Sequence, residues 1–263
     1  MSFSNSLFEE IKNDAYRFNI GNTPLYKIDN IYSKLEYYNK FDSVKTRAAF
    51  FMIEYAIKTG NLTKDKIIIE ASSGNTGIAI AGISNLLGYK AEIVIPEGAS
   101  EETKKILLKY NADLILTPGN STENSIKYVN DKIKDNPEKY YRLNQHNNEI
   151  NSDAHYYTTG PEIDHEIKNI GYVVAGIGTG GTITGLARYF KEKYDIKVIG
   201  IIPDKDSHIF GLRNPFKSEN KGIINNYIDY IDEIVTVNEN EAYNGVKELK
   251  EKYNLFCRPF VGC

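Results

Sequence analysis

Six short apolar runs rich in β-branched side chains, each bounded by turn-forming residues, alternate along this chain with stretches whose apolar residues recur at helical spacing. The runs are KIII (66–69), AEIVI (91–95), ADLIL (112–116), GYVVA (171–175), IKVIGII (196–202) and EIVTV (233–237). Runs of this kind, apolar at consecutive positions, suit strands covered on both faces, which is the condition of a parallel sheet. The spacing predicts helices over 46–58, 76–87, 100–110, 125–134, 182–193 and 239–253. Strand and helix in alternation imply βαβ units, hence an α/β fold with mostly parallel sheets and helices on both faces. The polar stretch NQHNNEINSD (144–153) is the candidate boundary between two α/β lobes, residues 1–150 and 151–263. Ligands of open parallel sheets bind beyond the carboxyl ends of strands, so the loops that follow the strands are where chemistry is expected.

Composition narrows the partners. A chain of 263 residues, 41% hydrophobic, can bury a substantial core. Its net charge of -3 is spread over mixed Lys and Glu, leaving no basic field for nucleic acid and making small molecules the expected partners. No apolar run nears the roughly 20 residues of a membrane span, and the first residues, MSFSNSLFEEIKNDAYRF, are polar, which predicts a cytoplasmic protein without membrane attachment. Cys257 and Cys263 form neither a disulfide framework nor a metal-ligand spacing. His146, His155, His165 and His208 are scattered, with no His-Glu-x-x-His pattern, so no metal is expected; Gly-x-Ser-x-Gly is also absent.

Three loops carry the functional reading. Gly178-Thr179-Gly180-Gly181-Thr182 follows the run GYVVA and opens a predicted helix. Glycines admit close backbone approach, and a helix N-terminus offers free N–H groups and a positive dipole end, a suitable seat for phosphate. Gly176, Gly178 and Gly181 also match the dinucleotide fingerprint, with Asp204 placed as its ribose-binding acid, so a nicotinamide-dependent oxidoreductase stays open at this point. Ser72-Ser73-Gly74-Asn75-Thr76-Gly77 follows KIIIE and places hydroxyls and an amide at another helix start, which suits a carboxylate or serves only as a well-made cap. Lys45 sits in the first turn of the helix over 46–58, where its ammonium opposes the dipole; this favours a nucleophilic amine able to condense with an aldehyde.

Taken in order, Gly21-Asn22-Thr23-Pro24-Leu25, Lys34-Leu35-Glu36, Ser43-Val44-Lys45, Ser73-Gly74-Asn75-Thr76-Gly77, Thr158-Thr159-Gly160-Pro161-Glu162-Ile163 and Gly178-Thr179-Gly180-Gly181-Thr182-Ile183-Thr184-Gly185 resemble the cysteine synthase family. The resemblance implies the pyridoxal 5'-phosphate (PLP) enzyme fold type II, like tryptophan synthase β, with the cofactor in a cleft between two α/β lobes. It implies that Lys45 carries PLP on its side-chain nitrogen and, once released by the incoming amino acid, acts as the base at Cα. Asn75 would bond the cofactor's ring hydroxyl, and Gly178, Thr179, Gly180, Gly181 and Thr182 its phosphate. Ser72, Ser73, Gly74, Thr76 and Gln145 would hold the substrate carboxylate. The implied reaction replaces the β-substituent of O-acetylserine or O-phosphoserine with sulfide to give L-cysteine.

Downstream, Ser207-His208-Ile209-Phe210-Gly211-Leu212-Arg213-Asn214 is similar to the cysteine synthase B branch and makes Arg213 a candidate contact for an anionic leaving group or sulfur donor. A cystathionine β-synthase-like activity uses the same motifs, and members of the family are commonly homodimers. The last residues depart from the pattern: Phe260 and Val261 stand where the family carries the serine turn that meets the pyridine nitrogen. That departure implies loose cofactor binding, or a homologue that binds a ligand or partner without turnover.

Overall fold

The computed structural model describes residues 2–217 and 222–255. The chain enters through helix α1 (Ser2–Arg17), which contains no apolar run because most of it is polar. Phe8, Ile11 and Ala15 nonetheless fall on one face and are buried, and Phe8 stacks on Tyr157 with ring centroids 4.6 Å apart. A hairpin follows, β1 (Leu25–Ile28) paired antiparallel with β2 (Ile31–Lys34) across a turn in which Asp29 takes a positive φ. Helix α2 (Lys45–Lys58) then runs through the interior: Ala48 to Ile53 are all buried, as for a helix packed on every side.

The first sheet is parallel throughout, built from β3 (Ile67–Ala71), β4 (Lys90–Pro96), β5 (Asp113–Thr117) and β6 (Tyr140–Arg142) in the order β5-β4-β3-β6. Helices α3 (Asn75–Leu86), α4 (Glu101–Lys109) and α5 (Thr122–Asp135) make the crossovers. Ser100 caps α4 by accepting from the Thr103 N–H at 3.1 Å, and Ser121 caps α5, which therefore starts ahead of residue 125. The three residues of β6 (YYR) carry no apolar run and gave no sequence signal.

Residues 150–166 form one nearly continuous helical segment: α6 (Ile150–Ala154), a single π-helical turn His155–Thr159, and α7 (Gly160–Glu166). The second sheet follows, parallel β7 (Tyr172–Gly176), helix α8 (Gly181–Lys191), β8 (Lys197–Pro203) and β9 (Glu233–Val237), in the order β7-β8-β9. Helix α9 (Glu239–Tyr253) ends the described chain and opens with a capping box between Asn238 and Glu241. The six apolar runs are thus all strands and the six predicted helices all present, with no end shifted by more than three residues. One core gathers around α2, α3 and the first sheet, and another around α8 and the second sheet. The polar stretch 144–153 lies between them, with Asn151 and Ser152 buried. No helix among the described residues is long and apolar enough to cross a membrane.

Candidate active site

In the first sheet the strand order reverses at β3, whose neighbours are β4 on one side and β6 on the other. Such a reversal opens a crevice beyond the carboxyl ends of the two strands. The loop after β3 holds Ser72, Ser73 and Gly74, with Asn75 and Thr76 opening α3; the loop after β6 holds Gln145 and His146. The two loops are tied directly, because the Thr76 hydroxyl donates to Gln145 Oε1 at 2.8 Å. Ser72 Oγ accepts the Gly77 N–H at 3.1 Å, closing the first turn of α3. Asn75 is partly exposed, and its side-chain amide makes no hydrogen bond among the described residues.

The glycine loop stands at the corresponding end of β7. Asn151 joins it to the first sheet: Nδ2 donates to the Gln145 carbonyl at 2.8 Å and to Thr179 Oγ1 at 3.0 Å. Gly180 has φ +93°, in the left-handed region that glycine enters at little cost. Gly178 faces backbone, since a Cβ there would stand 2.3 Å from the Gly211 carbonyl oxygen. Helix α8 begins at Gly181, so first-turn N–H groups without intrahelical partners gather at this loop; Thr179 Oγ1 takes that of Gly181 at 3.3 Å. The segment 207–214 closes over both turns. Phe210 Cζ lies 2.9 Å from where a Gly74 Cβ would stand, and Arg213 Nε donates to the Gly178 carbonyl at 2.8 Å.

Lys45, the first residue of α2, is only partly accessible and makes no hydrogen bond or ion pair among the described residues. Burial lowers its pKa, with Glu36 pulling the other way. Desolvation is therefore the main cause of the lowering, rather than the helix dipole expected from the sequence. On either side of Lys45, the hydroxyls of Ser43 and Thr46 are buried without partners among the described residues. Together these groups fit a cofactor with an aldehyde at one end and a phosphate at the other: an uncommitted amine, a glycine cradle at a helix start, and an amide with no internal bond.

Several residues at the site went unread in the sequence. His146 is close enough to Arg213, Lys45 and Arg142 that burial, followed by these cations, lowers its pKa to about 4. His155 is buried beneath the glycine loop, with Nε2 3.2 Å from Thr182 Oγ1. Behind Lys45, Arg47 is fully buried between two carboxylates. It reaches Glu36 through Nε and Nη2, both at 2.8 Å, and Glu162 through Nη1 and Nη2 at 2.6 and 2.7 Å. Lys34 adds a second cation to Glu162 at 2.8 Å, and Thr23 bonds both Glu36 and Arg47. Burial alone would raise Glu162, but Arg47 and Lys34 bring its pKa down to about 2. Motif residues Thr23, Lys34, Glu36 and Glu162 are thus one ion cluster fastening α7 to the start of α2, a role no single motif displays. Phe260 and Val261, the expected departures near the end, lie outside the described residues, as do Cys257 and Cys263.

Known proteins resemble this chain in sequence and fold. The sequence model of the family described as pyridoxal-phosphate dependent enzyme matches residues 16–263. A cysteine synthase of Aquifex aeolicus is 39% identical over 252 residues, covering 90% of this chain and 76% of the relative. Cysteine synthase B of Escherichia coli is 37% identical over 250 residues, covering 90% and 81%. Among solved structures, a hydrogen sulfide-producing enzyme of Fusobacterium nucleatum superposes with a TM-score of 0.83 at 33% identity, over 98% of this chain and 87% of that one. With the family matched over nearly the whole chain and relatives above 30% identity along most of their length, this chain belongs to the pyridoxal-phosphate dependent enzymes of the cysteine synthase type.

Proposed function

We propose that this chain synthesises L-cysteine, replacing the β-substituent of O-acetylserine or O-phosphoserine with sulfide in a PLP-dependent reaction. The observation that carries the reading is the amine of Lys45, desolvated and without an ion pair among the described residues, set with two anion-suited turns linked through Thr76, Gln145, Asn151 and Thr179. PLP supplies the electrophilic aldehyde that takes up the amino acid and the electron sink that makes its Cα proton removable.

The protein's part is to hold and to move protons. In this reading Gly178, Thr179, Gly180, Gly181 and Thr182 seat the phosphate, and Asn75 offers its amide to the ring hydroxyl. Ser72, Ser73, Gly74 and Thr76, with Gln145 behind them, hold the substrate carboxylate at the start of α3. Lys45 Nζ takes the proton from Cα; its lowered pKa keeps a larger share in the neutral, basic form. Arg213, fixed to the Gly178 carbonyl, is the candidate contact for the departing oxyanion. Phe210 over Gly74 narrows the mouth between the turns and limits water. The two sheets then belong to two lobes, 1–150 and 151–263, with the cofactor between them. Exposed Ile31, Tyr32 and Tyr38 support a further step, that two chains associate through the hairpin side.

Adding PLP to the purified protein should produce a visible absorbance band that Lys45→Ala abolishes. The parent should form cysteine from sulfide and at least one of the two donors. A parent that develops no band, or forms no cysteine with either donor, would overturn the reading.

A further inference from the structure

Helix α8 approaches the 150–166 segment closely because Gly185 has no side chain: a Cβ there would stand 2.3 Å from the Ser152 carbonyl oxygen and 2.7 Å from His155 Cβ. Thr182 lies three residues earlier on the same face of α8. The His155 ring therefore reaches from Gly185 to the glycine loop, with Nε2 3.2 Å from Thr182 Oγ1 and Nδ1 2.9 Å from Thr159 Oγ1. Thr159 closes the single π-helical turn that starts at His155, where the Gly160 N–H bonds back to the His155 carbonyl. Such turns are rare inside helices and recur at functional sites.

We propose that His155 is a positioning residue for the cofactor phosphate: held as the Nε2–H tautomer by Thr159, it donates to Thr182 Oγ1 and leaves the Thr182 hydroxyl hydrogen for the phosphate. This rests on the functional reading above and adds to it a residue that touches neither cofactor nor substrate. Counting hydrogens leaves two possible directions, and the bound anion selects between them. A neutral imidazole carries one N–H, and both of its nitrogens here face hydroxyls, so one donates and the other accepts. The ring is neutral because burial, then the neighbouring Arg47 and Lys45, lower its pKa to about 3 against the opposing pull of Glu36 and Glu162. Thr182 has a single hydrogen. If it were spent on Nε2, the hydroxyl could only accept, and would turn a lone pair toward an anion. The chain Thr159 O–H to Nδ1, Nε2–H to Thr182 Oγ1, Thr182 O–H to phosphate satisfies every atom with one orientation.

Two measurements test this. Nitrogen-15 NMR of the parent should show His155 as the Nε2–H tautomer; finding the proton on Nδ1 would overturn the proposal without any substitution. Titration of the apoprotein with PLP should show binding weakened about tenfold in both His155→Leu and Thr182→Ala, as for a lost hydrogen bond to a charged group. The double variant should be no weaker than the weaker single one, and His155→Gln, which restores an N–H near the Nε2 position, should recover most of the loss. Losses that multiply in the double variant would mean that His155 acts only as packing. A parent that binds no PLP would sink the functional reading itself, whereas a binding parent with independent losses would sink only this inference.

Discussion

Arg47 illustrates how a single side chain can be both costly and indispensable. Its guanidinium is wholly removed from solvent, and so are most of the two carboxylates it bridges. Burial by itself would raise the pKa of Glu36, yet Arg47 and Thr23 bring it below the ordinary carboxylate value, so both acids stay ionised in the interior. Removing the cation leaves two buried negative charges, Glu162 still paired with Lys34 and Glu36 left with the weaker pull of Lys45. Breaking a buried pair in this way costs about 3–5 kcal/mol, so Arg47→Met should unfold at markedly lower urea than the parent. Arg47→Lys should recover only part of the loss, because an ammonium lacks the planar fork that meets both carboxylates. A Met variant with an unchanged midpoint would mean that the cluster contributes nothing to stability. Arg47 is also two residues from Lys45, so loss of the cluster should loosen the helix start that holds the amine.

At the scale of elements, the strands and longer helices were legible because burial on both faces writes itself as consecutive apolar residues, and helices on a sheet as apolar residues at helical spacing. What was not legible had no such signature. β6 is three residues of Tyr and Arg added to an edge, the β1–β2 hairpin is half-exposed, and α1 buries only a narrow stripe. The segment 150–166 reads as polar, yet its Asn151, Ser152 and His155 are buried and bonded, since the polar side chains are satisfied by the glycine loop and α8. The glycine loop itself was legible through its residue types, and the structure adds which glycine has least freedom. Gly178→Ala would drive a Cβ into the Gly211 carbonyl, backbone against backbone, with no flexible side chain to give way. The expected result is a folded protein, by its far-ultraviolet circular dichroism, whose PLP dissociation constant rises at least tenfold. Unchanged PLP affinity would mean that the 207–214 segment is not held over the loop as the structure has it.

For the molecule as a whole, the half-buried His146 and the buried His155 make folding stability depend on acid. Burial, together with Arg213, Lys45 and Arg142, takes His146 to about 4; burial, Arg47 and Lys45, opposed by Glu36 and Glu162, take His155 to about 3. In the unfolded chain each returns to an ordinary value of about 6.5. Between about pH 6.5 and those lower values the unfolded chain binds protons that the folded chain does not, so stability falls as pH falls through this window. Buried Glu70 works in the opposite sense, because its raised pKa lets the folded chain take its proton first. The net slope of the parent therefore mixes both signs, and the informative quantity is a difference between two proteins. His146→Gln removes one titrating group while keeping a polar side chain near Arg213. Compared by urea unfolding at pH 7.5, 6.5 and 5.5, the variant should gain on the parent as pH drops, approaching about 1.4 kcal/mol per pH unit below the unfolded pKa. A difference that stays constant across that range would show that His146 takes up its proton as readily in the folded chain as in the unfolded one, and that the three cations around it do not hold it neutral.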